Sequence, residues 1–200
     1  MSELKEESYQ NCKLSSRASY NNNKPDGLYE ERYDNGKLKK RINYKDGKRN
    51  GLYEEWHENG NLKVRVNYKN GRADGLSEEW YDNGQLEFRV NYNDGDLDGL
   101  AEEWYKSGQL HARFTFKNGK YDGLWEEWHE NGQLRERTNW KNDIKNGLFE
   151  SWYDNGQMES SETYKNGNLH GLSEWWNKSG QLMVRDNYMD GIRLSRYIEN

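Results

Sequence analysis

Side chains able to do chemistry are few in this sequence, and their spacing argues against a reaction centre. Of the four histidines, His57 and His129 recur at one position of a 24-residue period, while His111 and His170 stand at others. None of them makes a metal-ligand spacing. Cys12 is the single cysteine, so it has no intrachain disulfide partner, and no histidine lies near it in sequence to activate it as a nucleophile. Serine-hydrolase elbows, phosphate loops and dinucleotide-binding glycine motifs do not occur. Carboxylates are plentiful, but Glu30, Glu54, Glu78, Glu102, Glu126, Glu150 and Glu174 recur at one repeat position, whereas catalysis needs an asymmetric cluster. No catalytic residue, metal site or cofactor is expected. What remains is recognition.

The candidates for recognition are rows of charge and of aromatic rings. Arg17, Arg41, Arg65, Arg89, Arg113, Arg137 and Arg185 share one position, with Ser161 standing there in the sixth repeat. Glu31, Glu55, Glu79, Glu103 and Glu127 are expected beside them as a cross-strand ladder, at about 0.2–1 kcal/mol per pair. Alternation aims the Glu30 row inward, where each carboxylate needs a partner; backbone N–H groups of a neighbouring turn are the expected donors. Trp56, Trp80, Trp104, Trp128, Trp152 and Trp176 form one aromatic row, and Tyr44, Tyr68, Tyr92, Phe116, Trp140, Tyr164 and Tyr188 form another. Both rows are expected on one buried face as the structural core. A third row changes from repeat to repeat: Tyr29, Tyr53, Ser77, Ala101, Trp125, Phe149 and Ser173. Tyr29, Tyr53, Trp125 and Phe149 of this row, together with Trp175 at the fifth position, are expected on the opposite face, as the candidate surface for a protein partner.

Regular elements must position these rows, and the glycines mark where the elements end. All 20 glycines fall in three series that step by 24, with Asp143 at the one missing place. Seven repeats follow: 27–50, 51–74, 75–98, 99–122, 123–146, 147–170 and 171–194. Residues 3–26 read as a degenerate N-terminal capping repeat, and 195–200 as a C-terminal tail or capping strand. No linker interrupts them, so 1–200 is expected to be one domain.

Each repeat holds two alternating stretches, such as Leu52–His57 and Leu62–Tyr68, and a period of two marks a strand with one buried face. Asn-Gly between such runs signals a hairpin. Three-residue loops, Glu58-Asn59-Gly60 and Lys69-Asn70-Gly71, keep the apolar residues on one side. The expected fold is all-β: an elongated antiparallel meander of tandem β-hairpins, about sixteen strands in a single twisted, curved sheet. The end near Ile192–Ile198 is expected to cap that sheet or to pair with another copy.

Composition narrows the class. Leu, Ile, Val and Phe total 30 of 200 residues, charged residues make up 32% and mean hydropathy is −1.43, all of which would suit a disordered chain. A net charge of only −5 and 14% aromatics do not. A one-layer repeat array reconciles them, because each repeat needs only a thin apolar strip. The pI near 5.5 argues against nucleic-acid binding. No apolar run is long enough to cross a bilayer and the first residues are not hydrophobic, so a cytoplasmic location is expected.

The recurring Asn-Gly-Gln-Leu, Tyr-Lys-Asn-Gly, Asp-Gly-Leu and Glu-Trp-Tyr segments resemble the variant form of the MORN-repeat family, closely over 27–194 and weakly over 3–26. That resemblance implies an array of β-hairpins serving as a non-catalytic scaffold for protein–protein interaction or assembly. It also brings two alternatives: an antitoxin or immunity-type protein that neutralises a toxin, and a phosphoinositide or glycan binding module, with membrane lipid the less favoured ligand. No family-wide binding residue maps onto this sequence.

Overall fold

The computed structural model describes residues 2–10 and 14–198; Cys12 lies outside the described residues. The strands are β1 (Ser2–Ser8), β2 (Leu14–Asn21), β3 (Lys24–Arg32), β4 (Leu38–Lys45), β5 (Lys48–Trp56), β6 (Leu62–Lys69), β7 (Arg72–Trp80), β8 (Leu86–Asn93) and β9 (Asp96–Leu97). They continue as β10 (Gly99–Trp104), β11 (Leu110–Lys117), β12 (Lys120–Trp128), β13 (Leu134–Lys141), β14 (Ile144–Trp152), β15 (Met158–Lys165), β16 (Asn168–Trp176), β17 (Leu182–Met189) and β18 (Ile192–Ile198). All eighteen belong to antiparallel sheet, and no described residue is helical. Packing divides the chain into two compact units, Met1–Leu97 with Lys106–Gly108 and Asp98–Tyr105 with Gln109–Asn200. Within each, every strand pairs with the one that follows it, which is the expected hairpin meander.

Two kinds of turn alternate. Between β5 and β6 the loop is the expected three-residue Glu58-Asn59-Gly60, closed by the His57 N–H on the Asn61 carbonyl and the Gly60 N–H on the His57 carbonyl. Between β6 and β7 the turn is shorter than expected. Lys69 pairs with Arg72, which leaves only Asn70 and Gly71, both at positive φ (53° and 90°), in a type I′ turn that suits the strand twist. Asp143 stands in for glycine at φ 66°, and its carboxylate repays the strain by accepting the Tyr121 N–H at 2.8 Å.

Bulges, which period counting does not see, reverse the expected faces. Glu55 pairs with Val64 but Trp56 with Leu62, so Lys63 is an extra residue on β6. A second bulge lies between the Val66–Ser77 and Tyr68–Ala73 pairs, at Gly75 with φ 93°. The pairings Tyr53–Val66 and Glu54–Arg65 then place the third-position residue with Val64, Val66 and Tyr68, while the tryptophan joins Glu54 and Arg65 on the other side. The two aromatic rows expected on one face therefore occupy opposite faces in both compact units. One may be called the tyrosine face and the other the tryptophan face.

The tyrosine face holds most of the buried residues. In the first compact unit Ala18, Ile42, Val66, Ser77 and Val90 are buried; in the second Ala101, Ala112, Phe114, Phe116, Thr138 and Ser160 are. Leucines at the second position on the tryptophan face, such as Leu124 and Leu148, stay exposed.

Strand β18 departs from the repeat. Asp186 pairs with Arg196, one residue earlier than the equivalent Glu162–Ser173 pair, because Ser195 replaces the bulge glycine and does not take up positive φ. The slip turns Arg196 toward the buried Asp186 carboxylate (2.8 and 2.9 Å) and leaves the whole strand exposed at the edge.

Candidate functional site

The repeat consensus is accounted for by contacts between neighbouring repeats. At the seventh position, Tyr33 donates its hydroxyl to the Trp56 carbonyl (2.7 Å), Tyr105 to that of Trp128 (2.9 Å) and Tyr153 to that of Trp176 (2.9 Å). His57 and His129 make the same clasp, Nε2 to the carbonyls of Trp80 and Trp152, at 2.8 and 3.0 Å. Those histidines substitute for tyrosine as donors, which fixes the proton on Nε2. The loop asparagine works in two directions: Asn131 accepts the Gln133 N–H on Oδ1 and donates from Nδ2 to the Asp154 carbonyl of the next loop.

The tryptophan face is a regular charge ladder, with partners different from those expected. Arg65 donates Nε and Nη2 to one oxygen of Glu54 at 3.1 and 3.0 Å; Arg41, Arg89, Arg113 and Arg137 repeat this on Glu30, Glu78, Glu102 and Glu126. The inward glutamates of these five repeats thus bind guanidinium groups, not turn N–H groups. Arg41, Arg65, Arg113 and Arg137 also each lie over a tryptophan of the following repeat, as Arg65 over Trp80 and Arg137 over Trp152, both at 5.9 Å. The fifth-position glutamates, expected in this ladder, lie on the tyrosine face, where Glu31 meets Lys39 and Glu127 meets Arg135 at 2.6 and 2.7 Å.

Glu30 gathers Arg17 and Arg41 at 2.7 and 3.1 Å while itself nearly buried. Burial would raise its carboxyl, but the hydrogen bonds from Arg41 and Arg17 outweigh that and hold it below the ordinary value. A depressed carboxylate stabilises the fold above the ordinary carboxylate range, and that contribution is lost as pH falls through the lowered value. Glu30→Gln should therefore cost about 1 kcal/mol at neutral pH, the arginines being partly solvated, and cost progressively less below about pH 4. Thermal midpoints of both proteins against pH would show it; parallel curves would refute the assignment.

The tyrosine face is where repeats differ. Its third position was read as variable, but the fourteenth and sixteenth vary as well: Lys40, Val64, Phe88, Ala112, Glu136, Ser160 and Val184 at one, and Ile42, Val66, Val90, Phe114, Thr138, Glu162 and Asp186 at the other. Open grooves follow this face. In the first compact unit a groove of about 520 Å³ includes Arg49, Tyr53, Tyr68, Arg72, Glu79 and Tyr92 in its lining, and one of about 300 Å³ includes Tyr29. In the second, a groove of about 250 Å³ runs past Arg135, Glu136, Phe149, Ser160 and Trp175.

Of the five residues singled out from sequence, Phe149 and Trp175 line one groove, while Tyr53 and Tyr29 line separate ones. Trp125 instead stacks on Phe114 at 4.5 Å, with Tyr121 edge-on at 5.3 Å, and belongs to packing. Only Trp175 is exposed (44%); the other four are half-buried. Sequence reasoning missed Arg49, held between the rings of Tyr53 and Tyr68 at 4.9 and 5.2 Å, and Lys145, 4.2 Å over Phe149. Arg49 and Lys145 share the twenty-third repeat position, which reads Arg49, Ala73, Leu97, Tyr121, Lys145, Leu169 and Arg193, and that variation was the available signal. Trp140, expected in the aromatic core, has a buried indole N–H with no acceptor among the described residues. On this face Glu136 stands opposite Glu127; burial, reinforced by Glu127, raises the Glu136 carboxyl against the pull of Lys145.

Seven consecutive segments match one family model, described as MORN repeat variant: residues 25–46, 49–70, 73–94, 97–118, 121–142, 145–166 and 169–190. Each begins just before the bulge glycine and ends inside or beside the two-residue turn, so one matched segment is one three-residue-loop hairpin. No curated protein matches the chain.

Proposed function

The chain belongs to the variant MORN-repeat family, and from that premise we propose that it is a non-catalytic repeat scaffold that holds a partner protein in the grooves of its tyrosine face. One observation carries the reading: residues that differ between repeats gather on this face, while the glutamate, tryptophan and arginine rows of the opposite face recur almost unchanged. A scaffold keeps its clasps constant and varies what it presents. The groove beside Phe149 and Trp175 combines rings with Arg135, Glu136 and Glu159, the mix of aromatic anchor and charged rim from which protein interfaces draw affinity.

Trp175→Ser should leave the thermal midpoint nearly unchanged, since the ring is exposed, and should reduce partner recovery at least about tenfold in affinity capture with mass spectrometry. Leu172→Ser, exposed and in the row on the tryptophan face, is the matched control and should retain the partner. Equal recovery by both variants would count against the groove.

A further inference from the structure

The arginine ladder is broken once. Five repeats show Glu and Arg directly opposite, as in Glu126–Arg137, with Nε and Nη2 on one carboxylate oxygen, and Arg185 binds Glu174 in the last repeat. In the sixth, Glu150 pairs with Ser161 in the same register, and the serine hydroxyl makes no hydrogen bond to it. Among the described residues no hydrogen bond or ion pair reaches the Glu150 carboxylate. Its neighbours are committed: Arg137, opposite it on β13, is bonded to Glu126 and lies over Trp152, and Arg185 is bonded to Glu174. The same serine deprives Trp176 of the cation that Trp56, Trp80, Trp128 and Trp152 each receive from the preceding repeat, at 5.6 to 5.9 Å.

Glu150 and Trp176 are thus the two groups that grip a guanidinium elsewhere in this fold, set in register at the one repeat that supplies none. We propose that this position receives an arginine side chain from a partner protein, its Nε and Nη2 on Glu150 and its plane over Trp176. The internal copies specify the occupant. A guanidinium offers two parallel donors and a flat face, whereas an ammonium offers a point charge and cannot do both. The site lies on the tryptophan face, opposite the grooves, and stands or falls independently of them.

The test titrates N-acetyl-arginine amide into the ¹⁵N-labelled full chain and follows the Trp176 indole N–H, assigned with Trp176→Phe. A saturable millimolar shift at Trp176 is expected, with the indoles of Trp128 and Trp152, which carry their own arginines, unmoved. N-acetyl-lysine amide should bind several-fold more weakly. Glu150→Gln should weaken the arginine response about tenfold or more. Ser161→Arg, which restores the internal ladder, should abolish the response and raise the thermal midpoint. A Trp176 signal that does not saturate would overturn the proposal. So would a response that survives in Glu150→Gln or Ser161→Arg.

Discussion

Gly123→Val is expected to lower stability by about 4 kcal/mol, read as a shift of the urea midpoint and as loss of amide protection across β11, β12 and β13. Gly123 has the most positive φ of the bulge glycines, 129°, in a region that branched residues do not share. A Cβ there would sit 3.2 Å from the Thr115 Cβ, so valine adds overpacking to backbone strain. The chain's own alternative is visible at β18, where Ser195 replaces this glycine and the strand slides by one residue. Such a slide in β12 would turn Trp125 and Glu127 to the tryptophan face and take Glu126 away from Arg137. Gly123→Ala should cost less, because one methyl needs only a small retreat of Thr115. A valine variant within 1 kcal/mol of wild type would mean that the bulge does not depend on glycine.

Phe114→Ala should cost about 3–4 kcal/mol. Phe114 is 6% exposed and lies at the centre of the largest ring cluster of the second compact unit. It stacks on Trp125 at 4.5 Å and meets Phe116 and Tyr121 edge-on at 5.5 and 5.7 Å. A one-layer sheet has no second layer to collapse into the gap, so the site relaxes little and the cavity contributes its full penalty. The loss should appear as early amide exchange in β10 to β13, since stability in a repeat array is shared mainly between neighbours. Phe114→Leu, which keeps most of the volume, should recover more than half of it. Equal losses for alanine and leucine would point to the ring contacts, and not the cavity, as the main term.

Much of this was legible in the sequence because the repeat is short and its punctuation complete. Asn-Gly steps and alternation gave hairpins, and Glu58-Asn59-Gly60 gave the correct loop length on one side of each repeat. The face assignment failed at one residue. Lys63 enters β6 as a bulge, and a single extra residue exchanges the sides of everything beyond it. The warning was a glutamate row that alternation aimed inward without a partner. Once the bulge is counted, Glu54 lies beside Arg65 and no longer needs a turn amide. The candidate site suffered from the same error: Tyr53 and Phe149 were chosen for their variation and do line grooves, but Trp125 looked equally variable and is packed on Phe114.

By itself the amino-acid order determined an all-β array, seven repeats long, with its turns, its rows and the family to which it belongs. Those properties are local: they depend on residues within one repeat and on turn chemistry that few other residues can supply. Which rows share a face, which glutamate meets which arginine, and why Ser161 leaves Glu150 and Trp176 without their usual partner were decided only in the tertiary structure. Side-chain direction in a sheet is a parity, and parity is settled by how strands pair across bulges, where one inserted residue costs little locally and reverses a face.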